Sequence, residues 1–399
     1  MHLAVVSHKI CWPSESSVSG FATDGGFPVQ MEAISELFER TSLVVPCQRD
    51  SASDGLSPLQ GNSLEVVPLS VPSGTGLKRK LHMFVWLLRN GSLIWRQVRQ
   101  ADAVHTPIPG DVGTIGMVTA LLQRKPLLVR HCGNWLVPKT TAERIWKWSM
   151  EYFAGGRNVM LATGGAADPP SFRNPNVKWI FSTSLRADQL EQKSPKSLPA
   201  DGKLKLVIAC RQEPGKGTDK VIESLPAILS VFPEATLVII GGGSLTAGLQ
   251  RRVDLLGLNG QVTFHGRVPQ HRVVELLNDA HIFCYPTSAS EGFPKVVLEA
   301  LAAGLPVITT RVSVLPSLLE SGAGILLSKA DSMELAHAVT RLCSDEGAYS
   351  TMSERAIDTA RQYSLEKWRD VIGEALRKAW NVRSLSSEKI ERTSVLEHS

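Results

Sequence analysis

The sequence predicts an α/β protein of two domains, each built on a parallel sheet covered by helices on both faces. Three observations lead there. Short β-rich runs alternate with amphipathic helical stretches along the whole chain, the βαβ rhythm whose crossovers lay helices over a parallel sheet. At 399 residues the chain exceeds what one hydrophobic core normally organises. A polar, Pro-containing stretch over 192–203 has the composition of a linker, and each half beside it is long enough to fold.

In chain order, the strand runs are Leu3 to Ser7, Ser42 to Pro46, Ala103 to His105, Pro126 to Arg130, Lys205 to Ala209, Thr236 to Gly241, His281 to Tyr285 and Pro306 to Thr309. A helical pattern from Val29 to Arg40 separates the first two. The expected domains are 1–191 and 204–365, joined by 192–203. A helix over 366–383 is expected to pack back on the first domain, followed by a loose Ser-, Glu- and Lys-rich tail over 384–399.

Composition narrows the function classes. A net charge of +5 is too weak for a dedicated nucleic-acid binder but suits anionic ligands. The six cysteines lie far apart with no Cys-x-x-Cys pair, so neither a disulfide framework nor a zinc site is expected, and the thiols read as reduced, small hydrophobic residues. The Met-His-Leu-Ala-Val-Val-Ser start reads as a buried strand rather than an export signal, and no apolar run reaches about 18 residues. A cytoplasmic protein is expected.

The richest segment runs from Ser290 to Ile308. Its Glu291-Gly292-Phe293-Pro294 loop enters a helix with Pro294 in the first turn, a position proline suits. Free amides and the positive end of the helix dipole there make a seat for phosphate. Glu291 and Glu299, eight positions apart, can both accept hydrogen bonds from sugar hydroxyls. In Leu206 to Asp219, a strand leads through a Gly/Pro turn into a helix, and Arg211 and Lys216 leave the carboxyl end of the strand, where a sheet of this kind binds a diphosphate. In the first half, Asp24-Gly25-Gly26-Phe27 precedes a helix, and its glycines can bring backbone close to a ligand.

These motifs, with Gly241-Gly242-Gly243 after Thr236 to Ile240 and Phe264-His265-Gly266-Arg267-Val268-Pro269, stand in an order that resembles the retaining glycosyltransferases of family 4. The resemblance implies the GT-B fold, two Rossmann-like domains with parallel sheets facing a central cleft, and is most specific from about Leu204 to Leu327. It implies that Glu291 contacts the donor sugar, Glu299 the ribose, Arg211 and Lys216 the diphosphate, and backbone around Gly292, Phe293 and Lys295 the phosphates. Gly243 would join them, and Val268 would lie near the base. Gly25, Gly26 and His131 would meet the donor from the first domain.

The implied chemistry is transfer of a hexose-type sugar from a nucleoside diphosphate sugar to a glycan or lipid-linked acceptor, with retention of configuration and without a metal. No cofactor beyond the co-substrate is implied. The chain has no Asp-x-Asp pair to hold a divalent cation, so cationic side chains and helix amides would carry the diphosphate charge. The sequence departs from the family pattern at Cys210, which replaces a glycine, at Ser317, and over 180–184.

Plainer readings stand beside these. Arg211 and Lys216 can be surface cations, His131 a satisfied histidine under a loop, and Gly25 and Gly26 simple turn residues. Lys78, Arg79, Lys80, Arg89, Arg96 and Arg99, interleaved with Phe84, Trp86, Leu88 and Trp95 over 76–100, suit either a helix packed on the first sheet with snorkelling tips or peripheral contact with the inner face of the plasma membrane. A nucleotide-sugar epimerase, a phosphorylase and a non-catalytic binding partner are the competing functions.

Overall fold

The computed structural model describes residues 1–50, 55–74, 76–166, 168–290 and 292–385. They divide into two compact units. The first comprises Met1–Thr163, Pro169–Ile180 and the chain from Leu365, and the second Gly164–Asp168 and Phe181–Ser364.

The first unit holds a seven-stranded parallel sheet in the spatial order Val177–Ile180, Asn158–Thr163, Leu127–His131, Ala103–Ile108, His2–Val6, Arg40–Pro46 and Leu64–Leu69. The first strand in sequence is thus internal, and the order reverses beside it. Val, Leu and Ile fill its central strands because a parallel sheet is covered on both faces; Leu3, Val5, Leu43, Val104 and Leu128 are all fully buried. Beyond the carboxyl end of His2–Val6, a three-stranded antiparallel sheet of Trp12–Pro13, Phe21–Thr23 and Ser57–Pro58 shapes the long loop before the next helix.

That helix spans Phe27–Ser35 and ends before Arg40, which opens a strand instead. Leu37 and Phe38 are buried beneath a tight turn in which their amides donate to Ile34 and Ser35 carbonyls at 3.0 and 3.1 Å. Their apolar character prolonged the apparent helical period past the true end. The helix Leu365–Trp380 belongs to this unit, burying Trp368, Ile372 and Leu376. Arg130 lies 4.8 Å from the Trp368 ring centre and donates to Gln30 at 2.8 Å, so this helix and Phe27–Ser35 share one cation–π and hydrogen-bonded contact with the sheet.

In the second unit six parallel strands lie in the order Val262–Gly266, Thr236–Ile240, Lys205–Ala209, Ile282–Tyr285, Val307–Thr310 and Gly324–Leu327. Here too the first strand is internal, and the switch falls between Lys205–Ala209 and Ile282–Tyr285. The stretch 192–203 lies inside this unit, against its surface. The Lys196 amide donates to Ser353 Oγ at 2.7 Å and the Leu198 amide to Glu346 at 3.1 Å, while the Lys196 ammonium donates to the Ala280 carbonyl just past the helix Gln270–Asp279. Most of the expected tail, 386–399, lies outside the described residues.

Candidate active site

In an open parallel sheet the crevice for a ligand opens at the carboxyl edge where the strand order reverses. The second unit places Arg211 and Lys216 at that point, in the loop that follows Lys205–Ala209. The loop is held from beneath by Gln212, which is 1 % exposed. Its amide side chain donates to the Cys210 and Ile240 carbonyls at 3.0 and 3.2 Å and accepts from Thr218 at 2.7 Å. Above this anchor Arg211 is exposed, whereas Lys216 is nearly buried at 8 %.

Four loops along this edge are stitched together. Gly215 passes its carbonyl to the Ser288 and Ala289 amides at 2.8 and 3.1 Å, joining the Lys216 turn to the loop after Ile282–Tyr285. The glycine run packs on the other side: the Gln212 amide donates to Gly242 at 3.2 Å, and a Cβ on Gly241 would lie 2.0 Å from the Cys210 carbonyl oxygen. A Cβ on Gly243 would lie 2.3 Å from the Gln212 carbonyl oxygen. The Gly241 amide donates to Gly266 at 2.7 Å, bringing in the turn that carries Val268. The circuit closes where Gln270 donates to Glu299 at 2.8 Å.

The helix Lys295–Ala302 starts at the N-cap Pro294, one position later than the sequence pattern places it, and no described side chain caps it. Its start therefore presents the positive end of the helix dipole, which favours an anion. Glu299 sits one turn in, where burial raises its pKa above the usual carboxylate value, and it lines a cleft of about 350 Å³ with Gln189, Val274 and Ala303. The Phe293 ring turns away into an aromatic cluster, 6.4 Å from Phe181 and 6.0 Å from Tyr363, which leaves its backbone as the part able to face a ligand. Glu291 lies outside the described residues.

In the first unit His131 ends the strand Leu127–His131 at 2 % exposure, its ring edge-on to Trp135 at 5.3 Å. Its Nδ1 has no hydrogen-bond partner among the described residues, and burial pulls its pKa down to about 4. Gly25 and Gly26 stand at the same sheet edge, before the helix Phe27–Ser35, whose N-terminus no described side chain caps. Between them and His131 come the strand Ala103–Ile108 and Gly110, over which the His8 ring packs so closely that a Cβ on Gly110 would lie 2.2 Å from it.

These histidines carry a pH prediction. His131 and the fully buried His105, lowered to about 3 by burial and by Arg130, are both neutral in the fold. In the unfolded chain they bind protons below the ordinary imidazole pKa of 6.5. Depressed folded pKa values mean that stability is lost as pH falls from about 6.5 towards 4, each histidine contributing up to about 1.4 kcal/mol per pH unit. Chemical denaturation at several pH values in that window is expected to show a shallower slope for His131→Gln and for His105→Gln than for the unaltered chain. An unchanged slope would mean that these imidazoles are protonated in the fold.

Gln212, Gln270, Thr287, whose hydroxyl donates to the Gly215 carbonyl at 3.0 Å, and Asp111 carry no signal in the sequence. The first three act on partners far away in sequence, and glutamine and threonine carry no pattern that flags such a role. Asp111 pairs with Arg79 at 2.7 Å, so one cation of the basic stretch is neutralised by another element.

Comparison with known proteins agrees with this geometry. Residues 190–362 match the family described as glycosyl transferases group 1. A phosphatidyl-myo-inositol mannosyltransferase of Mycobacterium leprae is 26% identical over 197 residues, covering 49% of this chain and 51% of that protein. A D-inositol 3-phosphate glycosyltransferase of Corynebacterium urealyticum is 31% identical over 159 residues, covering 38% and 37%. The chain thus spans about half or less of the length of these curated relatives. Among solved structures, Anabaena HepE in complex with UDP and glucose aligns with a TM-score of 0.68 at 17% identity, over 94% of this chain and 98% of that one. That likeness shows the fold, the two Rossmann-like domains of GT-B. The match to the glycosyl transferases group 1 family lies at residues 190–362, within the second unit.

Proposed function

We propose that this protein transfers a hexose-type sugar from a nucleoside diphosphate sugar to a glycan or lipid-linked acceptor, retaining the anomeric configuration and needing no metal. The observation that carries the proposal is the hydrogen-bonded circuit of four loops at the switch point, which sets Arg211, Lys216 and the uncapped start of Lys295–Ala302 on neighbouring loops of one sheet edge. Two cations and helix amides stabilise the charge that grows on the departing diphosphate. Glu299, Val268 and Gly243 take the ribose, the base and the phosphate backbone, and Glu291 the donor sugar.

The test is product analysis with a panel of nucleoside diphosphate sugars, with and without acceptor and with a chelator present. Release of nucleoside diphosphate that requires acceptor and survives chelation is expected. Formation of an epimer without acceptor, or of a sugar phosphate, would replace transfer with one of the competing activities.

We propose further that the helix Gly76–Gln100 meets an anionic membrane surface, which suits a lipid-linked acceptor. Among the described residues no helix is long and apolar enough to cross a membrane. One side of this helix is core, with Trp86, Ile94 and Val98 buried; Phe84 at 64 %, Leu88 at 70 % and Trp95 at 45 % remain exposed beside exposed Arg89, Arg96 and Arg99. The side chains of Lys78, Lys80 and Leu81 lie outside the described residues. Basic residues beside exposed apolar rings favour the headgroup region. Cosedimentation with phosphatidylglycerol vesicles at low salt, reduced severalfold by Leu88→Glu with Trp95→Glu, is expected; equal recovery of both proteins would remove this contact.

A further inference from the structure

The first two long strands of the first unit run parallel in register from His2↔Arg40 to Val6↔Val44. The chain then bulges outward over His8 to Ile10 and returns to pair once more at Cys11↔Cys47. There the Cys11 amide donates to the Pro46 carbonyl at 2.9 Å, and the Gln48 amide to the Cys11 carbonyl at 2.8 Å. Register partners on neighbouring strands stand about 5 Å apart at Cα, within the roughly 4.4–6.8 Å that a disulfide spans. Both side chains leave the same side of the pairing, the Cys11 thiol donating to the Lys9 carbonyl at 3.7 Å and the Cys47 thiol to the Val45 carbonyl at 3.5 Å. Both thiols are free.

The pair is asymmetric. Cys11 is fully buried, while Cys47 is partly exposed. The neighbouring Cys47 and burial raise the pKa of Cys11, and the neighbouring Cys11 lowers that of Cys47. The accessible sulfur is therefore the one more readily ionised, and the buried one is positioned to resolve whatever forms on it.

We infer that Cys11 and Cys47 are a reversible dithiol–disulfide couple. With a small-molecule disulfide such as glutathione disulfide as oxidant, the Cys47 thiolate attacks one sulfur, the oxidant's S–S bond breaks and one glutathione thiolate leaves. Cys11 then gives up its proton to water and attacks Cys47 Sγ of the mixed disulfide, releasing the second glutathione thiolate. Two protein thiols are oxidised to one disulfide, and one small-molecule disulfide is reduced to two thiols. The bond fastens the Lys9 to Gly26 loop, held by the Lys9–Asp24 ion pair and by the Thr23 hydroxyl on the Ile10 carbonyl, to the end of Arg40–Pro46.

The test treats the reduced full chain with glutathione disulfide, alkylates remaining thiols and maps tryptic peptides without reduction. Peptides 10–40 and 41–49 carry the two cysteines separately. The expected product joins them at a mass two hydrogens below their sum, is undone by dithiothreitol, and is replaced in Cys11→Ser by glutathione retained on Cys47. Exposed Cys132 reports that the oxidant has reacted. If Cys132 carries glutathione while Cys11 and Cys47 of the unaltered chain are both alkylated, or while Cys47 stops at its own mixed disulfide, the couple does not exist. That readout needs no variant to fold and no transferase activity.

Discussion

Lys216→Ala is expected to lower kcat/KM for the nucleoside diphosphate sugar by about 100- to 1,000-fold, the range found when one preorganised partner of a developing negative charge is removed, or roughly 3–4 kcal/mol. The size follows from position. Lys216 is only 8 % exposed, so water screens its charge poorly. Its turn is pinned by the Gly215 carbonyl to the loop that leads to Lys295–Ala302, so the ammonium need not reorganise during reaction. If it acts on the leaving diphosphate, the loss falls mainly in kcat, because the charge it meets is larger in the transition state than in the bound donor. Lys216→Arg keeps the charge and is expected to restore part of the rate. Turnover by Lys216→Ala equal to that of the unaltered protein, with folding verified by circular dichroism, would overturn the donor-site assignment.

Gly217→Ala is expected to cost on the order of 3 kcal/mol of stability, with a melting temperature lower by roughly 5–10 °C. Gly217 has φ +84°, and a Cβ there would lie 2.2 Å from the Pro286 carbonyl oxygen and 2.9 Å from the Pro286 ring. The left-handed backbone alone costs alanine about 1 kcal/mol; the remainder comes from pushing the Lys216 turn off the neighbouring loop. Gly257 is the internal control, since it has φ +67° but nothing within 4 Å of a Cβ. Gly257→Ala is expected to cost about 1 kcal/mol or less, from the backbone alone. Thermal melts that place the two variants together would show that the Pro286 contact yields without cost.

Much of the fold was legible because burial leaves a local signature. All eight runs read as strands lie largely within parallel strands of the two sheets, and most are rich in Val, Ile or Leu. The strands that escaped notice carry weaker patterns. Asn158–Thr163 is an Asn-Val-Met-Leu-Ala-Thr run that suits a helix equally well, while Val177–Ile180 and Gly324–Leu327 are short edge strands. Proline kept Leu64–Leu69 from looking like a strand, yet an edge position tolerates Pro68. The segment 192–203 has the composition of a linker, but hydrogen bonds from Lys193, Lys196 and Leu198 hold it to the second unit.

The candidate site was legible in its charged and glycine positions and illegible in what holds them. Arg211, Lys216 and Glu299 stand out because charge beside a strand end or helix start has few structural uses. Gln212 and Gln270 do not, because a glutamine's value depends on which carbonyls or carboxylates it meets.

By itself the sequence determined that there are two parallel sheets, that each begins with a strand feeding a long or glycine-marked loop, and that cations cluster after Lys205–Ala209. Those properties follow from periodicity and residue type within a window of one or two elements. Only the tertiary structure decided that Gly241 to Gly243 close on Cys210 and Gln212, that Gln270 meets Glu299, and that Cys11 finds Cys47. Each of those pairings joins residues some thirty positions apart, and whether they meet depends on sheet order and register, which are set by the packing of the whole unit rather than by any stretch of chain alone.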